Sequence, residues 1–127
     1  MELTIPTLNF SSVYLNDSLK KRVAPIAEEF GFGDYVYPCD VSNPDEIAAL
    51  VKSLEKDMGK IDFIVHSIAF APKDGLSGRF TDITKDAFRV AMDVSVYSLI
   101  EVTQALKPLL SENSSVLTLS YFGGVKY

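Results

Sequence analysis

IDFIVHSIA, residues 61–69, is apolar at all but three of its positions. A near-continuous apolar run of strand length is the pattern of a parallel strand covered on both faces, and Pro72 ends it. On its N-terminal side, NPDE (43–46) predicts a helix start. Asn43 supplies a capping side chain, Pro44 takes the first helical position, and Glu46 is placed to reach back as a capping box. Ile47, Leu50, Val51, Leu54 and Met58 follow at helical spacing, and Gly59 closes the helix. Further back, residues 35–39 and 11–15 read as two more strands. Between them Leu19, Val23, Ile26, Ala27 and Phe30 share a helical face that stops at Gly31 and Gly33, and Pro25 inside it predicts a kink or a loosened first turn.

On the C-terminal side, residues 73–82 are polar with two glycines and read as loop. Thr84 then caps a helix, with Ile83 and Phe88 at the positions of a hydrophobic staple. Phe88, Met92, Ser95, Leu99, Val102 and Leu106 predict one long helix over 84–110, facing a core on one side and a partner helix on another, with Pro108 near its end. SVLTLSY (115–121) reads as the last strand. Strands alternating with helices define an α/β chain built on a doubly wound parallel sheet, with ligands outside the carboxyl ends of the strands.

The chain has 127 residues, of which 47% are hydrophobic and 23% charged, enough for one core and ordinary for a globular domain. Twelve basic against seventeen acidic side chains leave a net charge of −5, which opposes a nucleic-acid or anionic-membrane partner. Cys39 is the single cysteine, and the opening MELTIP has neither a basic segment nor an apolar signal core, so the expected location is the cytoplasm.

Few residues carry chemistry by themselves. His66, the only histidine, stands at a strand end, where it is either a satisfied core side chain or part of a site; no second histidine or cysteine offers it a metal to share. Cys39 reads as a small buried residue rather than a nucleophile. Asp40 either accepts hydrogen bonds from a ligand or serves the turn before Ser42 and Asn43. Ser95 either bonds a carbonyl one turn earlier in its helix or faces a site. Tyr121 and Tyr127 are phenols near the end of the chain, and Lys126 beside Tyr127 makes no catalytic pair by adjacency alone. No glycine precedes Gly31, so the front of the chain holds no phosphate-binding turn.

YLNDSLKKRV (14–23), YPCDVS (37–42), IDFIVHSIAFAP (61–72), VSVYSLIEVTQALKPLL (94–110) and SVLTLSYFGG (115–124) together resemble the NADH-dependent enoyl-acyl-carrier-protein reductases of bacterial fatty-acid synthesis, within the short-chain dehydrogenase/reductase superfamily. HSIAFAP and LTLSY carry the resemblance within that superfamily. It runs from about residue 13 to 127, with residues 1–12 outside it, and implies a single partial Rossmann-like domain.

The resemblance implies a cofactor, NADH, flanked at its adenine by Asp40 and Val41 and followed along its length by Ser67, Ile68 and Ala69. It implies that Phe70 and Ala71 border the acyl pocket, and that Tyr121 is a catalytic tyrosine beside the substrate carbonyl. Ser95 falls near the superfamily's active-site asparagine. Leu15 and Asn16 stand where NADPH-preferring relatives place basic residues, which favours NADH. The implied partners are an enoyl substrate on acyl-carrier protein and further copies of the chain, with no metal, nucleic acid or membrane.

The family's first strand, its glycine-rich turn, and the second tyrosine and lysine downstream of LSY have no counterpart in these residues. The fold implied is therefore incomplete, and the chain resembles the middle of a reductase, inactive alone. Residues 3–8 are expected to pair locally, or the strands flanking the gap to close up. The alternative is a non-catalytic chain that folds and self-associates through helix 84–110.

Overall fold

A computed structural model describes residues 9–121 and residue 126. The chain divides into two compact units, Met1–Met58 and Gly59–Tyr127, each with its own pair of parallel strands.

In the first unit β1 (Ser12–Tyr14) pairs with β2 (Val36–Pro38), Ser12 opposite Val36 and Tyr14 opposite Pro38. Pro38 has no N–H to give, and Cys39 ends the ladder by donating to Tyr14 O at 2.9 Å. Between the strands runs α1 (Asp17–Glu29), capped by Asn16, whose Oδ1 accepts from Leu19 N at 3.1 Å. α1 runs through Pro25 without ending there. Pro25 and Lys21, whose carbonyl loses its helical donor, both lie on the exposed side. The helix closes as a Schellman motif: Gly31 adopts φ 78° and donates to Glu28 O at 3.2 Å, and Phe32 N–H returns to Ala27 O at 2.8 Å.

α2 (Pro44–Asp57) begins where the sequence places it, with Asn43 Oδ1 accepting from Asp45 N at 3.1 Å. The expected capping box is displaced. Asn43 N–H already donates to Asp40 O, so Glu46 accepts from the Asn43 side-chain amide at 3.0 Å and from Asp40 N–H at 2.7 Å. The acid thus ties the cap's side chain, and not its backbone N–H, to the residue that follows β2. Ala27, Cys39, Val41, Ile47, Leu50 and Leu54 form this unit's core, and burying each large aliphatic chain contributes roughly 1.5–3 kcal/mol.

In the second unit β3 (Ile61–His66) pairs in parallel with β4 (Leu110–Thr118). β4 starts at Leu110 and stops at Thr118, not at 115 and 121. Ile61 pairs with Leu110, and an irregularity then shifts the register so that Phe63 meets Ser115. The residues before 115 contain no glycine or proline to interrupt extended backbone, and Ser111 is anchored to β3 by donating to the Asp62 carboxylate at 2.6 Å. The ladder ends because β3 ends. Beyond Thr118, opposite His66, the remaining bond is Leu119 N–H to His66 O at 3.3 Å.

The expectation that β3 is covered on both faces does not hold among the described residues: His66 is 4% exposed, but Phe63 and Val65 on the opposite face are 40% and 50% exposed.

The helix expected over 84–110 is composite. Thr84 Oγ1 accepts from Ala87 N at 3.1 Å and opens α3 (Lys85–Met92). A π-turn, Asp93–Tyr97, leads into α4 (Ser98–Leu106), and Lys107–Leu109 tightens to a 3₁₀ turn at Pro108. The wide turn shifts the helical register, so the buried side chains are Ala87, Ser98, Val102 and Leu106, whereas Phe88 and Met92 of the predicted seam are 55% and 43% exposed. With Phe88 exposed, the expected staple is not what holds the entry. Ala87 and Ile83 instead approach Gly75, where an added Cβ would stand 3.2 Å from Ala87 Cβ and 3.9 Å from Ile83 Cδ1.

Candidate functional site at the strand ends

The carboxyl ends of β1 and β2 border an open cleft of about 560 Å³, lined by Tyr14, Leu15, Asn16, Pro38, Glu46 and Ala49. This is where a parallel α/β sheet binds ligands. Asn16 is committed to its cap, Leu15 is half exposed, and Lys20 Nζ lies 5.7 Å from the Tyr14 ring centroid.

Asp40 follows β2 and performs the turn role weighed for it: Oδ1 accepts from Ser42 N at 2.9 Å and from Ser42 Oγ at 2.7 Å. Its Oδ2 has no partner among the described residues, so one carboxylate oxygen is held and the other is available. Val41 beside it is buried. Cys39 is 4% exposed, and burial, followed by the carboxylates of Glu46 and Asp40, pushes its thiol up to about 11. A thiol so placed stays protonated at neutral pH, in line with a packing role.

In the other unit, β3 delivers His66 and then the segment 67–71. His66 is the satisfied core histidine: its Nε2 lies 2.8 Å from Ser98 Oγ, and Ser98 is 1% exposed. Ser98 Oγ also lies 2.7 Å from Val94 O, which can only accept. The single hydroxyl proton therefore goes to Val94, and His66 must donate from Nε2.

Ser95 does not bond a carbonyl one turn back; Ser98 does. Ser95 reaches out of the helix to Phe70, its Oγ accepting from Phe70 N–H at 2.9 Å and donating to Phe70 O at 3.0 Å. Both serines belong to or border the π-turn. Composition gave Ser98 no prominence, yet a serine four residues after Val94 on a helix otherwise burying Ala87, Val102 and Leu106 is the signal that could have found it.

Ser67, Ala69 and Phe70 are exposed, and Ile68 and Ala71 partly so. Tyr121 leaves the same end of the β3–β4 pair. It is 85% exposed, with its phenol unpartnered among the described residues. Thus Ser67 to Ala71, Ser95 and Tyr121 belong to one unit, and Asp40 and Val41 to the other. Tyr127 lies outside the described residues; Lys126 is exposed. No group of three or more His, Cys, Asp or Glu side chains able to hold a metal occurs among the described residues.

Parallel strands joined by helices define a Rossmann-like α/β fold, here incomplete. A family profile described as enoyl-(acyl carrier protein) reductase matches residues 8–127, and the chain belongs to that family.

Similar proteins include the NADH-type enoyl-[acyl-carrier-protein] reductase of Aquifex aeolicus, 47% identical over 114 residues, covering 89% of this chain and 42% of the relative. The Enterococcus faecalis enzyme is 43% identical over 115 residues, covering 91% and 45%. The crystal structure of the Aquifex enzyme superposes with a TM-score of 0.85 at 45% identity, over 91% of this chain and 50% of that one. A reductase of Anaplasma phagocytophilum solved in complex with NAD gives 0.81 at 38% identity, over 91% and 44%. The chain therefore spans less than half the length of the curated relatives it matches.

Proposed function

We propose that this chain forms part of an oxidoreductase that reduces the double bond of an enoyl group carried on acyl-carrier protein, with NADH as hydride donor. The observation that carries the reading is the segment HSIAFAP leaving the carboxyl end of β3 with its backbone held by Ser95, in a chain whose family profile spans residues 8–127. NADH, when bound, supplies the hydride.

The residues present fit parts of such a cofactor. Asp40 keeps one carboxylate oxygen free for an amino group or hydroxyl of the adenosine end, and Val41 offers an apolar neighbour. Ser67, Ile68 and Ala69 present exposed backbone along the nucleotide. Phe70, 51% exposed, and Ala71 border the acyl chain. Tyr121 carries a free phenol able to donate to the oxygen on which negative charge develops during reduction, a contribution of about 10²–10³ in rate for one well-placed donor. Residues 9–121 contain no glycine-rich turn before α1 to receive a pyrophosphate, so these parts alone do not assemble a complete cofactor site.

A cytoplasmic location and one partial domain belong to the same proposal. No helix among the described residues is long and apolar enough to cross a membrane. A second reading, self-association through the composite helix, rests on Phe88, Met92, Val96, Tyr97 and Ile100, each at least 43% exposed.

The discriminating experiment titrates NADH by fluorescence and assays crotonyl-thioester reduction with the 127 residues alone and with a version extended at both ends to the relatives' length. Turnover by the extended version alone is expected. A folded extended version that neither binds NADH nor reduces the thioester overturns the proposal and leaves the association reading.

A further inference from the structure

We infer that Ser95 is a positioning residue that fixes the backbone of residues 67–71 from across the unit. The inference rests on the reading above only in that this segment lies along the nucleotide. Among the described residues, the only hydrogen bonds made by residues 68–71 are those of Phe70, and both end on the Ser95 hydroxyl. In an extended residue the N–H and C=O point the same way. One hydroxyl that accepts from the Phe70 N–H and donates to the Phe70 C=O therefore holds the two peptides on either side of its Cα at once. The other end of the segment is fixed by the same stretch of helix, through His66 and Ser98. Two hydroxyls three residues apart, at the π-turn Asp93–Tyr97, thus clamp residues 66 and 70 of one strand exit. A regular helix satisfies its own carbonyls and has no need of a wide turn. Within this turn Ser98 bonds back to Val94 O, as a helical serine commonly does, while Ser95 reaches out of the helix to Phe70. Ser67, Ile68 and Ala69 span the clamp with their backbone groups left for a ligand.

The test uses amide exchange by NMR on the 127-residue chain. In the unaltered protein the Phe70 amide should exchange more slowly than those of Ile68 and Ala69. Ser95→Ala should speed exchange at Phe70 by roughly tenfold while leaving Val102 and Leu106 unchanged, and Ser95→Thr, which keeps the hydroxyl, should restore protection. Adding NADH to the version extended at both ends to the relatives' length should shift the Ser67, Ile68 and Ala69 amides with serine or threonine at position 95, and less in Ser95→Ala. If NADH shifts none of them while Phe70 protection still depends on residue 95, the nucleotide reading of this chain fails and the positioning role stands. Equal exchange at Phe70, Ile68 and Ala69 in the unaltered chain overturns the inference without any variant. So does a Ser95→Ala effect spread equally over Val102 and Leu106, or NADH shifts identical in the extended version with and without Ser95→Ala.

Discussion

Replacing Ser98 by alanine isolates the buried link between β3 and the composite helix. The side chain is 1% exposed and its oxygen contacts His66 Nε2 at 2.8 Å and Val94 O at 2.7 Å. Without it the imidazole N–H, 4% exposed as a residue, has no acceptor, and an unsatisfied buried donor costs about 1–3 kcal/mol. Alanine favours helix over serine by about 0.5 kcal/mol, which offsets part of that. The net loss should be about 0.5–2.5 kcal/mol, or a fall in Tm of roughly 2–10 °C for a chain of this size. Urea melts followed by far-UV circular dichroism measure it. A cycle with His66→Leu sharpens the test, because removing both polar partners avoids the orphaned group. The double variant should therefore be less destabilised than the sum of the singles by about 1 kcal/mol. Ser98→Ala within about 0.3 kcal/mol of the unaltered chain, or strict additivity, would refute the reasoning.

Stability should also fall in alkali. The Tyr37 phenol is pushed to about 12 from 10.0, first by burial and then by its hydrogen bond to the Asp57 carboxylate at 2.8 Å, and the Cys39 thiol to about 11 from 9.0. Both raised values favour the protonated folded form. Their contributions are therefore complete below pH 10 and pH 9 respectively, and are lost as pH rises toward 12 and 11. Tyr37→Phe should flatten the upper part of the urea-midpoint profile and Cys39→Ala the lower. Gly59→Ala should cost about 1–2 kcal/mol by forcing a φ of 73° on an L side chain with no atom near its Cβ, and Gly59→Asn less, both read from urea melts. Sedimentation at tens of micromolar (roughly, the range in which weak interfaces populate) should show dimers or larger species. These should dissociate when Val96 and Ile100 are both changed to Lys; a monomer throughout counts against association by that face.

Element types were legible because their signals are local. NPDE announces α2 by cap chemistry, and Gly31 and Gly59 mark helix ends because only φ near 75° closes them. The π-turn was not legible: the side chains at it, Ser95 and Ser98, bond partners 25 and 32 residues away in sequence, which no local pattern records. The same applies to β4, whose early start depends on Asp62 receiving Ser111 across 49 residues. The exposure of Phe63 and Val65 escaped the apolar pattern because hydrophobicity records what a face requires and not what covers it. At the candidate site, His66 and Cys39 as packing residues followed from ordinary residue chemistry, whereas for Asp40 the sequence left turn and ligand roles both open. The positions proposed along the nucleotide came only through resemblance, since Ser67, Ile68 and Ala69 carry no chemistry that singles them out.

The central claim, that these residues are part of an enoyl-thioester reductase, is tested most directly by following NADH consumption with crotonyl thioester by the chain extended at both ends to the length of its relatives, beside the 127 residues alone. The extended protein should show saturable turnover, and the 127 residues none detectable. A folded extended protein with no turnover, or turnover by the 127 residues alone, would contradict it.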